Sequence, residues 1–242
     1  MSAAWTTHFA PWLAASTLPW LVLTLGCYLA AMALYRRSGC HPLLIPVFTA
    51  VMVVVGVLHL TDTPYATYRG SVSLLTLLIG PATVALAIPL YTQRGRIRAL
   101  WLPVSVALLV GCSVAMLSAL GLGWLLGASE SMLMALAPKS ATIPIALPMA
   151  ERFGGAPSLT AVAVAITGIA GAMLAPLLVR LLRSSDPAEQ GFALGLSAHA
   201  IGTARGLQIH PSMGAFAALA MGLNGVATAL LMPLCLALLG LA

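Results

Sequence analysis

The chain has 242 residues, of which 61% are hydrophobic and 7% charged, and its mean hydropathy is +1.04. Soluble domains carry about 25% charged residues, so a soluble globular domain is excluded and a polytopic membrane protein fits. The net charge of +6 comes from 11 basic against 5 acidic residues; in such a chain basic residues mark cytoplasmic loops rather than a nucleic-acid surface.

A bilayer span needs about 20 apolar residues. The first is expected over residues 11–34, closed by Arg36 and Arg37, with Trp5, Trp12 and Trp20 as interface anchors. Residues 1–17 lack a basic leader, so this segment is expected to be retained, with the N-terminus outside. A second span over 42–60 leads to a mixed joint of Asp62, Tyr65, Tyr68 and Arg69. A third, over 71–91, carries Gly80-Pro81-Ala82-Thr83 in its middle and ends at Arg94, Arg96 and Arg98, which places that loop inside. The fourth, over 100–126, returns outward to Ser129 and Glu130.

The next block, 132–149, contains Ala137-Pro138-Lys139-Ser140-Ala141-Thr142-Ile143-Pro144 and the only lysine in the protein. A lone ammonium at membrane depth costs roughly 2.5–3.5 kcal/mol on insertion scales, so it marks a functional site by default. Each proline removes a backbone donor and disfavours helix before it. Irregular backbone at that depth survives only where protein buries it or a wet cavity lines it. Two topologies compete. A crossing strands Arg180 and Arg183 of the following span, 157–182, outside; a re-entrant hairpin over 130–152 leaves them inside with the other arginines. Charge bias favours the hairpin.

After a polar joint at 184–190, a seventh segment over 191–206 holds His199 and Arg205 and is too polar and glycine-rich to face lipid. A last span, 215–239, contains Asn224 and is expected to end inside. The fold class expected is therefore an all-α polytopic membrane protein, one domain over 1–242. It has about seven transmembrane helices, a re-entrant hairpin and two broken helical segments. A weak internal repeat relates 40–126 to 157–242, since Gly80-Pro81-Ala82-Thr83 resembles Ile201-Gly202-Thr203-Ala204-Arg205 and the two segments run oppositely, as in inverted-repeat transporters.

The candidate site follows from charge. Lys139 either binds a substrate anion or satisfies carbonyls freed by its prolines. Arg205 either forks onto the same carboxylate or sits at the interface. No acid lies deep in any span to neutralise them, so an anionic substrate is the counter-charge sought. Thr83, Ser140, Thr142, Ser197 and Thr203 either contact a hydroxy acid or repair broken backbone. His199 is a proton-coupling candidate or a neutral donor between helices, and Asn224 is a packing amide or a pocket ligand. The cysteines Cys27, Cys40, Cys112 and Cys235 are scattered and read as apolar fillers. Neither a metal or cofactor site nor enzyme chemistry is expected, since no H-E-x-x-H, G-x-S-x-G or pair of membrane carboxylates occurs.

Five ordered stretches, 78–91, 137–146, 155–161, 197–205 and 220–225, resemble the CidB/LrgB family of membrane proteins. The family includes bacterial proteins described as antiholin-like or murein-hydrolase regulators, paired with a smaller LrgA-type membrane protein. It is also similar to the C-terminal half of the plastid glycolate/glycerate translocator. The resemblance implies a multi-pass protein of the cell inner membrane. The function expected first is a secondary transporter of small monocarboxylates or hydroxycarboxylates such as glycolate, glycerate, lactate or pyruvate, working by alternating access; the alternative is an antiholin- or holin-like membrane regulator of murein hydrolase activity and autolysis. Expected partners are a small carboxylate anion, the lipid bilayer, an LrgA-like small membrane protein and further copies of this chain.

Overall fold

The computed structural model describes residues 17–240. Among them every regular element is helical. The beginning of the first expected span, Trp5, Trp12 and the N-terminus lie outside the described residues. Among the described residues, five helical stretches are long and apolar enough to cross a membrane: Thr17–Arg37, Ser73–Thr92, Trp101–Leu125, Pro157–Leu181 and Pro211–Leu238. About seven were expected. The second expected span contracts to Pro46–Leu60, 15 residues, about 22 Å of helix against a hydrocarbon core of about 30 Å.

The chain divides into two compact units, Met1–Ala85 and Leu86–Ala242. The first holds α1 (Thr17–Arg37), α2 (Pro46–Leu60), α3 (Tyr65–Ser71) and α4 (Ser73–Ala85). Trp20 is not an interface anchor: it is fully buried, edge-on to Tyr68 with ring centroids 5.6 Å apart. The Tyr68 hydroxyl lies 3.0 Å from Thr24 Oγ1, which donates to the Trp20 carbonyl, so the indole's polar surroundings are built from α1 and α3. No break occurs at Gly80-Pro81, because α4 continues through Pro81 to Ala85. The proline costs one ladder bond, a loss that membrane helices absorb.

The second unit begins with α5 (Ala87–Thr92) and α6 (Arg94–Ala99), followed by the long α7 (Trp101–Leu125). Next come two short helices, α8 (Glu130–Leu136) and α9 (Ile143–Arg152), then α10 (Pro157–Leu182), α11 (Pro187–Ile209) and α12 (Pro211–Leu238). α7 and α12 run parallel. Val104 and Leu108 share a cluster with Phe216 and Ala220, while Met116 and Leu120 share another with Met232 and Leu236.

α8 and α9 are two short helices joined by the turn at 137–142. At 7 and 10 residues they rise about 10 and 15 Å, too little to span. Their limbs return alongside each other, since Leu133 and Met134 of the first pack with Met149 and Phe153 of the second. Ser129 caps α8 by accepting from the Met132 amide, and Pro144 sits in the first turn of α9, where its missing N–H is harmless.

α11 was expected to cross the membrane with a break; instead it doubles back. His199 has φ +38° and ψ −124°, a backbone strained for any side chain, and it joins two helical limbs. Gly191 and Gly195 on the first limb abut the Met213 and Ala217 carbonyls, in parallel with α12. On the returning limb, Gly206 meets Met213 and Thr203 meets Met221, so that limb runs antiparallel to α12. Gly202 lies against the Leu194 carbonyl of the outgoing limb. Only glycines let backbones approach so closely.

The ends of this unit are therefore defined. Arg96 donates from the single nitrogen Nη2 to both carboxylate oxygens of Asp186 at 2.7 and 2.6 Å, so the loop containing Arg94, Arg96 and Arg98 shares an end with the joint 184–190. α12 leaves from that same end, where Met213 touches Gly191, and finishes at the other, where Leu239 lines a groove with Leu120 and Trp124. α12 thus runs from the end that holds the Arg96–Asp186 pair to the opposite end of this unit. α11 contributes no net crossing, and α12 changes sides.

Candidate functional site

The two folded-back elements enter from opposite ends of the second unit and meet at mid-height. Lys139 and Ser140 from the first, and Leu196 and Ser197 from the second, line one cavity of about 330 Å³. Its remaining walls are Gly111 and Ala115 of α7 and Thr167, Ala170 and Gly171 of α10. These lie near the middle of long apolar helices, so the cavity sits at the depth where a charge is least tolerated by lipid.

Lys139 is half-buried, and no hydrogen-bond or ion-pair partner for its ammonium occurs among the described residues. The freed-carbonyl alternative is thereby not realised: local backbone bonds close the turn without it, from the Lys139 amide to the Leu136 carbonyl (3.1 Å) and from the Ala141 amide to the Pro138 carbonyl (2.9 Å). Ser140 is buried and its hydroxyl is likewise unpartnered. Its carbonyl accepts from Asn224 Nδ2 of α12 at 2.8 Å. Asn224 is 1% exposed, and its Oδ1 has no partner among the described residues. Asn224 thus clasps the turn of the first hairpin rather than lining the cavity.

His199 marks the turn of the second hairpin. Its Nε2 lies 3.0 Å from the Val164 carbonyl; a carbonyl only accepts, so Nε2 carries a proton, and in the neutral ring Nδ1 then presents a bare lone pair. That Nδ1 is buried and unpartnered. The ring fits because Gly168 of α10 has no side chain to meet it. Thr203 donates to the His199 carbonyl at 2.9 Å, so its hydroxyl mends the break and is not free for a ligand.

The other sequence-predicted residues fall elsewhere. Arg205, on the returning limb, is half-buried, carries an interaction of its own and is not among the residues lining the cavity. Thr142 is the N-cap residue of α9, without a side-chain cap bond, and also lies off the lining. Thr83 is exposed in the first unit and donates to the Ile79 carbonyl at 2.8 Å. Thr167, together with the small residues Gly111, Ala115 and Gly171, was not singled out by sequence. The available signal was Thr167-Gly168-Ile169-Ala170-Gly171, small residues inside an apolar helix.

One cation in a mid-depth cavity, with hydroxyls beside it and no acid to neutralise it, can hold a small anion. Among the described residues no group of three His, Cys, Asp or Glu side chains is placed to hold a metal.

Comparison with known proteins agrees with the motifs. The chain is 38% identical over 188 residues to Uncharacterized protein YxaC of Bacillus subtilis (strain 168), covering 78% of this chain and 81% of that protein. It is 29% identical over 222 residues to Antiholin-like protein LrgB of the same organism, covering 91% and 95%. Antiholin-like protein LrgB of Bacillus cereus (strain B4264) is 28% identical over 220 residues, covering 91% and 96%. No solved structure matches. The LrgB-like family matches residues 24–238, from α1 through the end of α12; this multi-pass membrane chain belongs to the LrgB-like family.

Proposed function

We propose that the second unit binds a small monocarboxylate, of the glycolate, glycerate, lactate or pyruvate class, and carries it across the cell inner membrane as a secondary transporter. One observation carries this reading: the unpartnered Lys139 ammonium lies in a cavity where two hairpins from opposite ends converge. The two turns reach the cavity from opposite ends of the unit, which supports a reading by alternating access. A single cation matches one carboxylate. The bare Nδ1 of His199, beside the second turn, is the group proposed to take up a coupled proton. With the Arg94–Arg98 loop inside, α12 ends outside.

A second reading is favoured by the relatives, which are named antiholin-like: a regulator of murein hydrolase activity and autolysis acting with an LrgA-like partner. None of those names mentions a carboxylate, so the comparisons speak for this reading more directly than for transport. Uptake of labelled glycolate and pyruvate into proteoliposomes separates the two. Transport gives saturable, competable uptake that Lys139→Ala lowers at least about tenfold, the worth of one charge-assisted hydrogen bond. Non-saturable leak, or uptake indifferent to Lys139→Ala, defeats the transport reading and favours the antiholin-like one.

A further inference from the structure

The geometry points to Thr167 as the residue that reads the second polar group of the anion, so that the site prefers carboxylates bearing an oxygen on the adjacent carbon over unsubstituted acids of equal length. This rests on the carboxylate reading above. Thr167 lines the cavity from α10, a different element from the one bearing Lys139. Hydroxyls on membrane helices usually donate to the carbonyl four residues back, as those of Thr160, Ser197 and Thr203 do here. The Thr167 hydroxyl makes no such bond and has no partner among the described residues. It is left open to the cavity, where water or a ligand can satisfy it.

The other cavity groups are less suited to this part. Lys139 supplies charge, which every carboxylate satisfies equally. Ser140 is its chain neighbour on the same turn, whereas Thr167 lines the cavity from α10. Ser197 spends its hydrogen on the Ala193 carbonyl at 2.7 Å. The remaining walls of α7 and α10 are glycine and alanine. Thr167 both donates and accepts, so it serves a hydroxyl or an oxo oxygen alike.

The test is binding of glycolate and of acetate to the purified full-length protein, measured calorimetrically for wild type, Thr167→Val and Thr167→Ser. Wild type is expected to bind glycolate about tenfold more tightly than acetate, the worth of one neutral hydrogen bond. Thr167→Val, matched in shape, brings that ratio to about one by weakening glycolate alone; Thr167→Ser keeps it. Unchanged acetate binding shows that the variant is folded. A ratio of one in wild type, or a preference that survives Thr167→Val, overturns the inference and leaves the carboxylate reading standing. Absence of binding by either acid to wild type overturns both.

Discussion

The Asn224 clasp yields the sharpest stability prediction. Its amide nitrogen holds the Ser140 carbonyl at 2.8 Å across 84 residues of sequence, and both partners are buried. Asn224→Ala removes that bond and leaves a buried carbonyl unpaired, but it also removes an Oδ1 that has no partner among the described residues. The first effect costs about 1–3 kcal/mol in a soluble interior, yet side-chain hydrogen bonds inside membranes average about 0.6 and reach about 1.7 kcal/mol. Losing the idle Oδ1 offsets part of this, so the net expectation is a destabilisation of about 1 kcal/mol. Asn224→Asp separates the two effects. It keeps the volume but sets a carboxylate oxygen against the Ser140 carbonyl, or else forces a protonated acid, and should cost more than alanine. The assay is equilibrium unfolding in mixed micelles, read through reactivity of a cysteine placed at Thr142. If Asp is tolerated better than Ala, the orientation of the amide is wrong and the clasp with it.

Three further outcomes are expected. Gly195→Ala sets a methyl against the Ala217 carbonyl and should lose about 1–3 kcal/mol or more to overpacking, whereas Gly222→Ala, with nothing within 4 Å of its new methyl, should melt like wild type. In a background without native cysteines, Ser184→Cys and Leu239→Cys should label from opposite faces of right-side-out vesicles; labelling from one face would contradict the reversal at His199. The Ala188 amide, and after it Arg96, holds the Asp186 carboxyl below the usual carboxylate range against opposing desolvation. A depressed folded pKa gives stability that is full above the unfolded value, about 4, and is lost as pH falls below it. Asp186→Asn should therefore flatten the melting temperature between pH 6 and pH 3, and an Arg96–Asp186 double-mutant cycle should return no more than about 1 kcal/mol for so exposed a pair.

What the sequence revealed depended on whether its signal was local. The long helices α7, α10 and α12 follow from uninterrupted apolar runs, and the first hairpin from Pro138, Pro144 and Pro148 combined with arginine bias. The second hairpin was read as a broken span because its reversal falls on a histidine, with no proline in the limbs beyond Pro187 to announce it. What permits the reversal is a pairing of glycines with backbone far along the chain, Gly195 with Ala217 and Gly191 with Met213, and such partners cannot be seen in one strand of sequence. Gly80-Pro81 misled in the opposite sense, since a proline within a membrane helix need not end it. Lys139 was legible as an anomaly of charge, Thr167 only as the neighbour of a glycine, and the sequence left open both a shared site and a separate place for Arg205.

The place of α12 in the chain bears on how the site is assembled. It is the last described helix, yet it supplies the clasp of Asn224 on Ser140, the seat of Met232 and Leu236 under Leu133 and Met134, and the bed for both limbs of α11. During synthesis the N-terminal parts emerge first. Lys139 therefore enters the membrane before the helix that fixes its turn has been made, and the nascent chain must shelter an unclasped cation until α12 arrives. Slowing translation within α12 should lengthen that exposure and make the first hairpin the segment that quality-control proteases reach.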